Sequence, residues 1–176
     1  LGDVYKRQPE AHTLITARMA RRLIDQGFTS CYGASAAKLK LDVAVRDAVD
    51  AGHIPGPRIR AGSTEITVTG GMGDESKLHN PRIGISCVVD GPEEMRRAVR
   101  LAIREGCDNI KLDVSGDPFY PGSPSHVTPM AFEEVQMAVD TAHAFGRKVN
   151  AHSRSIEGSK YCVRAGVDGL FHVEYA

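Results

Sequence analysis

The chain has 176 residues, enough to bury one hydrophobic core and too few for two full domains. Its 22 Lys and Arg balance 22 Asp and Glu, so no charge excess points to nucleic acid or to an anionic membrane, and a small-molecule partner is the expectation. No apolar run approaches the roughly 20 residues that cross a bilayer, and Cys31, Cys87, Cys107 and Cys162 form no CxxC pair, which argues against a zinc ribbon, a redox motif or a disulfide framework.

Those cysteines read as small buried hydrophobes. The opening residues 1–8, LGDVYKRQ, have no apolar stretch and no helical or strand period, so they read as a non-native or disordered leader before a domain over 9–176. No export signal is visible, which makes the cytoplasm the expected compartment. Oligomeric state is left open.

From there one grammar repeats. A helix around Thr16 to Gln26 stops at Gly27 before FTSCYG, and another around Leu41 to Ala51 stops at Gly52 before PRIRAGS. A long connection, TVTGGMGDESKLHNPRIG, follows; structureless loops beyond about 15 residues are usually functional, which places it at the mouth of a site. Pro92 to Glu105 then set Met95, Ala98, Val99, Ala102 and Ile103 on one helical stripe, opened by Asp90 and closed by Gly106. Asn109 to Val114 switch to strict alternation, the mark of a strand. A loop, SGDPFYPGSPSHV, leads to a helix opened by Thr128-Pro129 and ended by Gly146 before KVNAHS. Ser155 to Ala165 form the last helix, which ends at Gly166 before DGLFHVE. Each glycine sits where a left-handed cap belongs.

Strands alternating with helices imply parallel pairing and an α/β class, which a doubly wound sheet and a (β/α)8 barrel both satisfy. Polar residues decide for the barrel. Ile110, Leu112 and Val114 claim the helix side of their strand, so Lys111 points the other way with Asn109 and Asp113. His152 shares its parity with Asn150, opposite Val149 and Ala151, and His172 is assigned the side of Leu170 and Glu174, opposite Phe171 and Val173. All three then aim into a barrel near the carboxyl ends of strands, where catalytic groups collect. Singly, each has an ordinary explanation: a hydrogen-bonded core histidine, or a lysine that snorkels to water. Three on successive strands favour a site. Because a whole barrel typically takes about 250 residues, this chain is expected to be a partial TIM-type barrel covering about strands two to six.

The segments GFTSCYG, DAVDAGHIPGPRIRAGS, TGGMGD, DNIKLDVSGD, KVNAHSRS and GVDGLFHVEYA, in that order, resemble the metal-dependent amidohydrolase superfamily, in particular its imidazolonepropionase-like and Xaa-Pro dipeptidase-like branch. The resemblance implies that Lys111 is carboxylated by CO2 and bridges two divalent metals, usually zinc, and that His152 and His172 ligate one of them. Carbamate formation needs a neutral amine, the form that burial favours. A metal-bridging hydroxide would then attack the carbonyl of a small amide, dipeptide-like or cyclic amide substrate, hydrolysing a C–N bond. The family's HxH pair and last-strand aspartate do not occur in this chain, so the piece alone is expected to be inactive.

Met72 replaces the histidine of the TGGHG loop found in many relatives, and Arg154 stands where relatives often have Tyr or His. Arg154 follows His152 on the same parity, which suggests that it faces substrate and binds a carboxylate or oxyanion; a solvated arginine before a helix is the plain alternative. Tyr120 and His126, in the loop after the Lys111 strand, are further candidates for the pocket. Arg96, Arg97, Arg100 and Arg104 lie on the polar face of their helix and read as a solvated surface. Two other functions compete: a Schiff-base lyase or aldolase built on Lys111, which metal content separates, and a non-catalytic fragment with open strand edges.

Overall fold

A computed structural model describes residues 8–76, 78–79 and 84–174; of the expected leader, all but Gln8 lies outside them. Helix α1 (Pro9–Asp25) leads to strand β1 (Ser30–Tyr32), and α2 (Leu41–Asp50) leads to β2 (Arg58–Arg60) and β3 (Gly62–Thr67). After β4 (Cys87–Val88), three units follow: α3 (Gly91–Arg104) with β5 (Asn109–Asp113), α4 (Phe132–Ala144) with β6 (Lys148–Ser153), and α5 (Ile156–Ala165) with β7 (Gly169–His172). The five expected helix-to-strand passages are all present. The five glycines expected to close helices, Gly27, Gly52, Gly106, Gly146 and Gly166, all have positive φ. Two details differ from the sequence reading. The first helix begins seven residues earlier than its period suggests, at Pro9, and the long connection contains β4, whose two residues pair with Ile66 and Thr67. Two residues are too few to show alternation.

All pairings are parallel: β1 pairs with β2, and the larger sheet runs β4-β3-β5-β6-β7. From β3 onward each new strand of a helix-strand unit adds on the same side of its predecessor. α3 packs on α4 and α4 on α5, so the helices form one layer, whereas a doubly wound sheet would divide them between two faces. Under that layer lie Ile110, Leu112, Val114, Val149 and Ala151, all fully buried against Met95, Val99, Val135 and Val139. The opposite face is also buried but polar, with Asn109, Lys111, Asp113, Asn150 and His152.

Burying both faces requires the sheet to curl, and one hydrogen bond reports the curl directly. Asn150 Nδ2 on β6 donates to the Tyr32 hydroxyl on β1 at 2.6 Å. On a flat sheet β1 and β6 would lie three strand spacings, about 14 Å, apart. Asn109 Nδ2 on β5 likewise reaches the Gly33 carbonyl at 2.8 Å. This is the closed polar interior of a partial (β/α)8-type barrel.

Aspartates at the strand entrances fix the register. Asp108 Oδ2 accepts from the Ala61 amide at 2.8 Å and from Arg46 Nη1 at 2.7 Å, while its own amide donates to the Ala61 carbonyl at 2.8 Å. Two units later Asp168 repeats the clamp on Val149: its carboxylate accepts from the Val149 amide at 2.9 Å, and its amide donates to the Val149 carbonyl at 2.9 Å. Asp168 also accepts from Lys148 at 2.6 Å and from His143 at 2.8 Å. At the other end of the helices, Glu134 receives the Gly91 amide at 2.6 Å and the Ala131 amide at 2.7 Å, supplying the starts of both α3 and α4 with an acceptor. The cysteine expectation holds in part: Cys107 and Cys162 are buried, with thiols pushed up to about 11 and about 12 by desolvation, whereas Cys31 and Cys87 are only half-buried because they lie on short strands near the sheet margin.

The loop leaving β5 is tightly folded. The Gly116 amide donates to the Val127 carbonyl at 3.1 Å and the Asp117 amide to the Ser123 carbonyl at 2.9 Å. A Cβ on Gly116 would lie 2.0 Å from the Ser123 carbonyl oxygen and 2.3 Å from that of Pro124, where backbone cannot yield.

Two stability predictions follow from these contacts. Gly116→Ala should cost about 2–3 kcal/mol by overpacking, read as a lowered urea midpoint. For Asp168, burial raises the carboxyl pKa, but the bonds from Lys148, His143 and the Val149 amide outweigh it and hold the group at about 2. A carboxyl depressed in the folded state stabilises above its ordinary pKa and loses that contribution as pH falls toward the folded value. Asp168→Asn should therefore cost about 1–2 kcal/mol near neutral pH, water screening the exposed Lys148 end, and the difference from wild type should vanish between about pH 4 and pH 2 in denaturant titrations.

Candidate functional site

Three neighbouring strands carry the expected trio, His152 and His172 near the carboxyl ends of β6 and β7 and Lys111 in mid-strand. Lys111 is 5% exposed at the centre of β5, and its Nζ lies 2.7 Å from Asp113 Oδ1. Parity explains the pair, since residues two apart on a strand share a face. Asp113 is enclosed, and desolvation pushes its carboxyl up to about 7; the Lys111 ammonium opposes the rise and the nearby Glu65 carboxylate adds to it. Asp113 Oδ2 is buried without a hydrogen-bond partner. Glu65 stands beside Lys111 in the register of β3 with β5, and its carboxylate accepts from the Ser35 and Ser86 hydroxyls at 3.3 and 3.4 Å. The glycine loop expected at the mouth approaches here: a Cβ on Gly73 would fall 3.6 Å from Asp113 Oδ2. Part of that connection, Lys77 and 80–83, lies outside the described residues.

His152 is 2% exposed on β6 and registers with Asp113. Its Nε2 lies 2.9 Å from the Gly116 carbonyl oxygen. A carbonyl only accepts, so Nε2 carries the proton and Nδ1 the lone pair. Burial lowers the imidazole pKa to about 4, opposed by the Gly116 bond, which leaves it neutral near pH 7 and able to act as a donor to a metal.

His172 reaches the same place by a route that alternation does not describe. In the register of β6 with β7, Leu170 lies beside Ala151 and packs against the helix-side core, while Phe171 lies beside His152. The expectation that His172 shares an inward side with Leu170 is therefore wrong. His172 has φ +77° and Val173 φ +50°, left-handed values that cost non-glycine residues of order 1–3 kcal/mol each. At this break in the strand the His172 ring, on an exposed residue, meets that of His152 at 4.7 Å, inclined at 63°. Its pKa is lowered by partial burial and by the charges of Arg154 and Lys111.

Arg154 is not the free cation that its position suggests. Its side chain is 11% exposed, its Nε lies 2.9 Å from Asp117 Oδ2, and its Nη1 is ion-paired with Glu174. Tyr120 is half-buried and His126 exposed in the loop after β5. Sequence reading had placed Asp113 on the right face without giving it a part, and had not singled out Glu65, Gly116, Asp117 or Glu174. Parity was a usable signal for Asp113. None existed for Gly116, whose carbonyl bears no side-chain identity.

Among the described residues no three His, Cys, Asp or Glu side chains converge as a metal-binding group. The groups that do meet are the rings of His152 and His172, with Lys111 on the strand beside that of His152.

Comparison with known proteins places the chain in a family. The amidohydrolase family matches residues 7–176. Ochratoxinase from Aspergillus niger is 32% identical over 184 residues, covering 91% of this chain and 36% of that protein. The crystal structure of A. niger ochratoxinase superposes with a TM-score of 0.86 at 29% identity, over 98% of this chain and 43% of that one. A prolidase complexed with N-methylphosphonate-L-proline gives 0.87 at 28% identity over 99% and 44%, and a Xaa-Pro dipeptidase with bound methionine in its active site gives 0.84 at 29% identity over 93% and 41%. The chain thus spans less than half the length of these relatives. With a family match across nearly its whole length and a curated relative above 30% identity, the chain belongs to the amidohydrolase family.

Proposed function

We propose that this chain supplies one wall of the active site of a divalent-metal hydrolase that cleaves C–N bonds in small amide, peptide-like or cyclic amide substrates, the metals being held by Lys111, as its carbamate, together with His152 and His172. The observation that carries the reading is the meeting of two histidine rings from adjacent strands, 4.7 Å apart, beside a buried lysine on the next strand. The donor chemistry suits zinc, which takes neutral imidazole nitrogen and anionic oxygen. The Gly116 carbonyl, by fixing the His152 proton on Nε2, does what outer partners of metal-bound histidines do: it sets tautomer and ring direction.

Two zinc ions per complete site would supply Lewis acidity, polarising the substrate carbonyl and making water nucleophilic at neutral pH. The protein's own residues do the rest. His152 and His172 would hold the metals through ring nitrogens, Lys111 would add an anionic oxygen donor once carboxylated, and the buried polar face around Lys111, Asp113 and His152 excludes bulk water, which strengthens each charge interaction. Tyr120 and His126 lie in a loop after a barrel strand, the part of such folds that meets substrate. Small-molecule substrates fit the relatives named as a Xaa-Pro dipeptidase and as a prolidase seen with a proline phosphonate.

Elemental analysis of the complete protein in bicarbonate buffer should find about two divalent ions per chain, falling in Lys111→Ala together with amide hydrolysis, and 13C-bicarbonate should add a carbamate resonance to the NMR spectrum of the wild type only. Active wild-type protein without metal would overturn the reading and favour Schiff-base chemistry at Lys111.

A further inference from the structure

We infer that Arg154 is a positioning residue, which ties the turn after β7 to the loop after β5 and so holds His172 against His152. The inference rests on the metal-site reading above. Two consecutive left-handed residues without a glycine, His172 and Val173, do not persist unless surrounding contacts over-determine them. The Val173 amide donates to the Ser153 carbonyl at 3.0 Å, which fixes where the turn starts, and the next residue, Glu174, is fixed by Arg154 Nη1.

Arg154 is itself anchored at two points. Its amide donates to Ser115 Oγ at 2.7 Å, and its Nε donates to Asp117 Oδ2 at 2.9 Å. Asp117 in turn accepts the Phe119 amide at 3.1 Å through its other oxygen. Between these anchors, Gly116 offers its carbonyl to His152. The three-residue segment from Ser115 to Asp117 thus orients His152 directly and His172 through Arg154 and Glu174. A guanidinium suits the task because its planar fork serves two carboxylates at once, which one ammonium does poorly. At 11% side-chain exposure this is no solvated arginine, and a substrate carboxylate would have to displace Asp117 or Glu174 to reach it.

The test uses the complete protein as wild type, Arg154→Met, Glu174→Gln and the double variant, each titrated with Co2+ while its visible absorption spectrum is recorded and its melting temperature checked. Loss of a partner that orients a metal-bound histidine typically weakens metal binding about 10–100-fold. Both single variants should show weakened cobalt binding with an altered spectrum, and the double variant should be no worse than Arg154→Met, because both act through one ion pair. Unchanged cobalt affinity and spectrum in Arg154→Met, with KM raised at constant kcat for carboxylate-bearing substrates, would overturn the inference and assign the guanidinium to substrate. Additive losses in the double variant would also overturn it. Should Arg154→Met fail to fold, Glu174→Gln keeps the Asp117 anchor and decides alone: unchanged cobalt binding overturns the inference. Wild-type protein that takes up no Co2+ overturns the metal-site reading, and the inference falls with it.

Discussion

The Tyr32 to Asn150 hydrogen bond spans strands that a flat sheet would hold far apart, and the curl it reports is the constraint on which the site depends. A parallel sheet with helices on one face must do something with the other. Here the second face is wrapped inward, so it can be polar and dry at once. Asn109 and Asn150 meet that requirement by bonding to Gly33 and Tyr32 at the end of β1, Lys111 lies level with Asn150, and Asp113 and His152 follow toward the carboxyl end. Without the curl these groups would be hydrated, and neither the depressed His152 pKa nor the raised Asp113 pKa would arise.

Rigidity at the opposite end makes that arrangement dependable. Asp108 and Asp168 bind Ala61, just before β3, and Val149, the second residue of β6, through both side chain and backbone, so a slip by one residue, which would exchange the polar and apolar faces, breaks several bonds together. The site end is freer to depart from regular geometry. There the bulky loop after β5, pinned by Gly116 against the Ser123 and Pro124 carbonyls, and the left-handed turn at His172 place atoms that no regular strand could place.

Family membership and local geometry describe different levels of the molecule. Similarity to ochratoxinase and to prolidases identifies the barrel type and the family. The geometry adds features that family membership does not specify: Glu65 and Asp113 around Lys111, and Arg154 enclosed by Asp117 and Glu174. Met72 stands where many relatives have the glycine-loop histidine, and Arg154 is already committed to two carboxylates, so neither position offers a free polar group to a ligand.

The amino-acid sequence by itself determined the succession of helices and strands, the glycine caps, the barrel class and the inward direction of Lys111 and His152, because each of these follows from a local period of 3.6 or 2 or from a single residue's backbone preference. It also determined, through shared motifs, the family. Tertiary structure alone decided three things. Strand β4 exists only as a two-residue pairing with β3, too short to leave a period. Arg154 sits in a network whose members, Asp117 and Glu174, are 37 residues before it and 20 after it, distances across which no sequence pattern reports contact. His172 meets His152 where its backbone turns left-handed, against the alternation that assigned it to Leu170's side; long-range contacts impose that turn on two residues that would not choose it.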